Sequence, residues 1–178
     1  MRLPKILLEG DERLSAFRDR RGGAESAHVV VGWREWAGLP ELGIARIAAK
    51  VDTGARTSAL HADLIERVER DGAPFVRFGV TGEAAGTPVH EAPVIDRRPV
   101  KSSNGETEMR FVIRTGLALA GRVWPIELTL TKRDRMELPM LIGRQALAGR
   151  ALVDAERSFV WDRPSASKRA RRLKPAGG

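Results

Sequence analysis

The sequence predicts a mainly β protein with one folded unit, and three observations carry that prediction. Short runs rich in Val, Ile and Thr recur between residues 28 and 162, with Gly, Pro, Asn and Asp between them at close intervals. Apolar and polar residues alternate through Arg122-Val123-Trp124-Pro125-Ile126-Glu127-Leu128-Thr129-Leu130, the pattern of a half-buried strand. Only one segment of the folded unit, 144–148, reads as a helix, and it is short. Dense strands with so little helix imply a closed or sandwich-like barrel.

Taken in order, strands are expected at 28–33, 44–51, 58–70, 75–80, 89–95, 100–102, 108–115, 122–131, 137–142, 150–153 and 158–161, each bounded by turn-forming residues. Residues 1–27 are charged and irregular and read as a flexible extension, with one short amphipathic helix at 11–20. Residues 163–178, with two prolines, two serines and a basic cluster, read as a disordered tail. No internal repeat divides the 178 residues, so a two-lobed duplication within the chain is unsupported.

Bulk composition narrows the function classes. The hydrophobic share of 42% is ordinary for a globular protein, and no apolar run approaches the roughly 20 residues of a membrane span. Ile6-Leu7-Leu8 is followed at once by Glu9, Asp11 and Glu12, which is no secretory core. There is no cysteine, hence no disulfide, thiolate nucleophile or Cys-type zinc site. A cytoplasmic location and no membrane partner are expected. The formal charge is +8, but the tail from Arg163 holds six bases and no acid, which leaves +2 for residues 1–162. With no tyrosine and 5% aromatics, the chain offers no stacking surface for single-stranded nucleic acid.

The chemistry concentrates in Lys50-Val51-Asp52-Thr53-Gly54-Ala55, which sets one carboxylate in a tight turn after the apolar run Ile44-Ala45-Arg46-Ile47-Ala48-Ala49. An Asp-Thr-Gly turn often does no more than reverse the chain, yet it is also the catalytic loop of an aspartic peptidase. Two further stretches favour the second reading. Met140-Leu141-Ile142-Gly143-Arg144 is an apolar strand ended by a glycine that permits close backbone approach, followed by the short helix of Gln145-Ala146-Leu147-Ala148. Ser102-Ser103-Asn104-Gly105-Glu106 places Asn-Gly between two strands, a strong hairpin signal. It stands midway between the other two stretches, where a flap would exclude water.

From about residue 29 to 161 the chain resembles the retropepsin-like aspartic peptidases known as bacterial "ATP-dependent zinc proteases", relatives of the ligase that adds glutamates to a ribosomal protein. The resemblance rests on Val31-Gly32-Trp33-Arg34-Glu35-Trp36 with Leu39-Pro40, and on the long stretch Lys50-Val51-Asp52-Thr53-Gly54-Ala55-Arg56-Thr57-Ser58-Ala59-Leu60-His61-Ala62. Ser102-Ser103-Asn104-Gly105, Leu141-Ile142-Gly143-Arg144 and Leu152-Val153-Asp154 complete it. It implies a single retropepsin-like lobe, with Asp52, Thr53 and Gly54 as the catalytic loop and Ala55, Leu141, Ile142 and Gly143 as its support. One lobe supplies one aspartate, so the simplest dyad is that of a C2 homodimer. Asp96 and Asp154 are the candidates for a second acid within one chain.

Arg56 and Arg144 flank two loops expected to pack together, and Ser103, Asn104 and Gly105 form the hairpin tip. These five are the substrate-binding candidates. Arginine binds carboxylates in fork fashion, which suits an acidic or polyglutamate peptide. Lys50, Lys101 and Arg110 also fall near the motifs, and solvated surface charge is the default reading for Lys50 and Arg110. For zinc or ATP the residues offer little. There is no His-Glu-x-x-His helix, the histidines are His28, His61 and His90, and no phosphate-cradling Gly-x-x-x-x-Gly-Lys-Ser/Thr loop occurs. No metal or cofactor is expected. Two alternatives stay open: a non-catalytic module that binds an acidic protein or a ribosomal partner, and a zinc-dependent hydrolase built on Asp52, His61 and His90-Glu91.

Overall fold

The computed structural model describes residues 28–80, 88–101, 105–132 and 137–162. The extension 1–27 with its expected helix, the tail 163–178 and the tip residues Ser102, Ser103 and Asn104 lie outside the described residues. In chain order the strands are β1 (Val29–Gly32), β2 (Arg34–Leu39), β3 (Ile44–Asp52), β4 (Ser58–His61), β5 (Asp63–Arg70), β6 (Ala73–Gly79), β7 (Val89–Pro93), β8 (Asp96–Lys101), β9 (Thr107–Leu119), β10 (Arg122–Thr131), β11 (Met140–Gly143) and β12 (Ala151–Asp154). One α-helix, α1 (Arg144–Leu147), follows β11. Among the described residues no helix is long and apolar enough to cross a membrane.

The protein is mainly β, as its residue pattern predicts. The main sheet runs β10-β4-β11-β3-β2-β9, and β9 pairs again with β10, so the ladder closes on itself. Strand alternation drives this closure. Ile47, Ala49 and Val51 of β3 are buried while Arg46 and Lys50 are exposed. On β10, Trp124, Ile126, Leu128 and Leu130 turn inward, and they join Ile113, Leu117, Met140 and Ile142 in one apolar cluster. Burying each such side chain is worth roughly 1.5–3 kcal/mol. The Trp124 indole N–H also donates to the Ala146 carbonyl at 2.9 Å, fastening α1 against the barrel wall.

Two appendages leave the ring. Strand β8 pairs with the first half of β9 to form an antiparallel hairpin, and β5-β6-β7 form a separate three-stranded sheet. On that sheet Arg77 and Arg70 both bond Glu91, and their guanidinium groups hold its carboxyl below the ordinary range.

Several expected boundaries differ from those observed. The segment 58–70 is two strands. The Ala62 N–H is taken by the Thr131 carbonyl at the barrel edge, and Leu64 then adopts φ 51° across a register shift, sending β5 to the other sheet. The expected strand 28–33 stops at Gly32, and a strand absent from the reading, β2, follows it. A β-carbon on Gly32 would stand 2.4 Å from the Arg157 carbonyl oxygen, so only glycine admits this crossing. The expected strand 158–161 is instead a bend leading into a 3-10 turn at Val160–Asp162.

Glu35 explains the last two differences. Its side chain is 0% exposed, and it accepts backbone N–H bonds from Gly32 at 2.8 Å and Val160 at 2.9 Å. A buried glutamate interrupts the apolar pattern of β2, while its carboxylate occupies the donors that a strand at 158–161 would need. Glu35→Ala leaves those buried donors unpaired, and the expected cost is about 2–4 kcal/mol in chemical denaturation. Glu35→Gln retains one acceptor oxygen and should lose less.

Candidate active site

Asp52 ends β3, and the chain turns through Thr53-Gly54-Ala55 into β4. Between those two strands runs β11, parallel to β3 and antiparallel to β4. Its register places Gly143 beside Asp52. The crossing is tight: a β-carbon on Gly143 would lie 2.5 Å from the Thr57 carbonyl carbon and oxygen. The Gly143 N–H donates to Ser58 Oγ at 3.2 Å, and Arg144 and Gln145 N–H groups donate to the Ala55 and Arg56 carbonyls at 2.9 and 3.1 Å. The start of α1 is thus stitched to the loop.

The carboxylate is divided in its duties. Asp52 Oδ1 accepts the Gly54 N–H at 2.9 Å and the Ala55 N–H at 3.1 Å. Its second oxygen makes no hydrogen bond among the described residues, and Asp52 lines a cleft of about 710 Å3. One oxygen is therefore a fixed strut and the other is available for chemistry. Thr53 and Gly54 are exposed beside it.

The β8–β9 hairpin roofs this cleft. Asp52, Ala55, Arg56 and Leu141 line the floor side, and Arg98 and Arg110 come from the hairpin, with Lys101 near its tip. Gly105, at the turn, has φ 90°, which favours glycine; Ser103 and Asn104 lie outside the described residues. Ile142 is buried in the core beneath the loop. The Arg144 guanidinium donates to the Gly54 carbonyl at 3.0 Å and contacts that of Thr53 at 3.5 Å, away from the cleft lining. Lys50 is solvent-exposed.

Arg110 is a correction to the surface-charge reading, since it is only 4% exposed and its Nε donates to Glu108 at 2.8 Å. Arg98 carried no assignment in the sequence; the one available signal was its place in a basic run just before the Asn-Gly turn. Burial alone would pull the Arg98 guanidinium down, but the hydrogen bond and charge of Glu127, with Asp96, hold it above its ordinary value.

A zinc ion would need a donor set, and none forms among the described residues. Among the described residues no three His, Asp or Glu side chains gather around a common point. His61 lies 3.9 Å from Asp63, and His90 stacks on Phe78. Asp96 and Asp154 are engaged by Arg98 and Arg157 respectively, and among the described residues Asp52 is the one acid lining the cleft.

A closed β-barrel with a strand threaded past an Asp-Thr-Gly loop and a hairpin over it defines the retropepsin-like class. Residues 30–164 match the family model of the retropepsin-like aspartic endopeptidase RimB, and the chain belongs to this RimB-like family. A probable alpha-L-glutamate ligase of Shewanella pealeana is 44% identical over 133 residues, covering 73% of this chain and 29% of the relative. The protein of the same name from Parasynechococcus marenigrum is 47% identical over 133 residues, covering 73% and 28%. The chain thus spans under a third of the length of these curated relatives, which bear ligase rather than zinc-protease names. The crystal structure of a Legionella pneumophila protein of unknown function aligns with TM-score 0.65 and 30% identity, over 75% of this chain and 98% of that one.

Proposed function

We propose that the protein is an aspartic-type endopeptidase that hydrolyses acidic, glutamate-rich peptides through a water held between two Asp52 carboxylates of a homodimer. The observation that carries this reading is the divided carboxylate of the cleft-lining Asp52, with Oδ1 held by two backbone N–H groups and the other oxygen without a hydrogen bond among the described residues. In the paired site, two close carboxylates share one proton, because both cannot ionise at short range. The ionised one takes a proton from water as it attacks the scissile carbonyl, while the protonated one donates to the carbonyl oxygen. Collapse of the tetrahedral intermediate then returns a proton to the leaving amine.

Two features favour assembly from two chains. Among the described residues the cleft of one chain is lined by a single acid, and Thr53 and Gly54 are exposed next to it, where a symmetry mate would cover them. The acidic substrate is favoured by the basic cleft lining and by the ligase names of the relatives. Such a ligase, and through it the ribosome, is the proposed functional partner.

The dyad is tested by mixing. Asp52→Asn protein added in excess to a fixed amount of wild type should suppress turnover of a glutamate peptide as mixed dimers form, since each site needs two aspartates. If turnover followed the amount of wild-type chain alone, the shared dyad would be wrong.

A further inference from the structure

Arg98 and Arg110 sit directly opposite each other in the β8–β9 hairpin. Cross-strand partners project from the same face, and here that face borders the cleft. Two like charges so placed repel, and Asp96, Glu108 and Glu127 offset that repulsion. Each guanidinium is, moreover, only partly engaged. Arg110 uses Nε on Glu108, and its two Nη groups make no hydrogen bond among the described residues. The residue as a whole is 4% exposed and lines the cleft. Arg98 donates Nη2 to Glu127 at 2.8 Å and sets Nε 2.7 Å from Asp96, leaving Nη1 without a hydrogen bond among the described residues.

The three acids stand beside the two arginines, with Asp96 and Glu108 two residues from their partners and so on the same face of the hairpin. The Asp96, Glu108 and Glu127 side chains are between 38% and 47% exposed, so water and salt screen them strongly. Arg110, 4% exposed, is not screened in this way, whereas Arg98, 32% exposed, is partly screened. Glu108 is further anchored by the Thr131 hydroxyl at 2.9 Å, and Glu127 belongs to the barrel strand β10. The acids therefore hold the two forks through Arg98 Nη2 and Arg110 Nε, and the remaining Nη groups make no hydrogen bond among the described residues.

We propose that Arg98 and Arg110 form a carboxylate clamp in the roof of the cleft, reading one acidic side chain of an extended peptide bound over Asp52. This rests on the peptide reading above and adds the residues that set its selectivity, which are specificity-determining rather than catalytic. An extended peptide presents alternate side chains to roof and floor. A glutamate turned to the roof meets the two free guanidinium edges, whereas a glutamine there would leave them without a charge partner.

Binding separates this proposal from catalysis. In full-length Asp52→Asn protein, affinity for a hexaglutamate peptide and its all-glutamine counterpart is measured by calorimetry. Adding Arg98→Gln or Arg110→Gln should weaken hexaglutamate binding about tenfold or more, the worth of a charge-assisted hydrogen bond, and leave the glutamine peptide within twofold. A change below threefold for hexaglutamate in either variant, or an equal loss for both peptides, overturns the clamp. If a glutamine variant does not fold, the lysine variant replaces it. Lysine keeps the charge facing Glu108 or Glu127 but has no fork, and the same loss and the same limits apply. Failure of the peptidase reading would show as no turnover of a glutamate peptide by the wild-type protein, an outcome independent of these affinities.

Discussion

Asp52→Asn should abolish peptide turnover while the fold stays intact, with a fall of about 10^3-fold or more, the scale of losing a general acid–base group. The substitution is a clean one here. Asparagine Oδ1 can still accept the Gly54 and Ala55 N–H bonds that shape the loop, so the turn keeps its geometry. What is lost is the ionisable second oxygen, which Asn replaces with an amide that cannot take a proton from water. The check is the cleavage rate of a glutamate-rich peptide by mass spectrometry, beside the thermal transition of both proteins. Equal rates would remove Asp52 from the mechanism. A fall in rate together with a collapsed transition would reflect unfolding, and Asp52→Ala would then show how far the loop depends on its strut.

Gly143→Ala should damage both stability and turnover. The added β-carbon would meet the Thr57 carbonyl group at 2.5 Å and the Arg56 carbonyl oxygen at 3.0 Å, and these are backbone atoms that cannot rotate away. Overpacking of this kind costs about 1–3 kcal/mol, which for a domain of this size lowers Tm by roughly 4–12 °C. Turnover should fall further than stability alone implies, by about 10^2-fold, because a loop displaced by about 1 Å misplaces the Asp52 carboxylate. Ser58→Ala is the comparison: it removes only the acceptor of the Gly143 N–H, costs about 1 kcal/mol, and leaves the crossing open. If Gly143→Ala matched Ser58→Ala in both measurements, the crossing would not be the element that positions Asp52.

Much of the local structure was legible in the residues themselves. The alternation on β10, the apolar run of β3 and the glycine-ended β11 each follow from side-chain preference at short range, and so do their lengths to within a few residues. The Asp52 loop was legible for the same reason, since a turn and its preceding strand are contiguous. Glu35 and Arg110 were not. A glutamate in β2 reads as surface until Gly32 and Val160, the latter 125 residues away in sequence, supply its donors. An arginine in a charged hairpin reads as solvated until the barrel closes behind it and leaves it 4% exposed.

By itself, then, the sequence determined that the chain is a β-protein carrying one Asp-Thr-Gly loop, a hairpin and a glycine-ended strand, because turn chemistry and strand periodicity are written in neighbouring residues. Only the tertiary structure decided which groups face that loop. It put Arg144 on the Thr53 and Gly54 carbonyls, and it placed Arg98 and Arg110 side by side on the cleft wall. The first depends on β11 pairing beside β3, which joins residues 90 positions apart; the second pairs close neighbours within one hairpin, but only the β9–β10 pairing that closes the barrel sets that hairpin over the cleft.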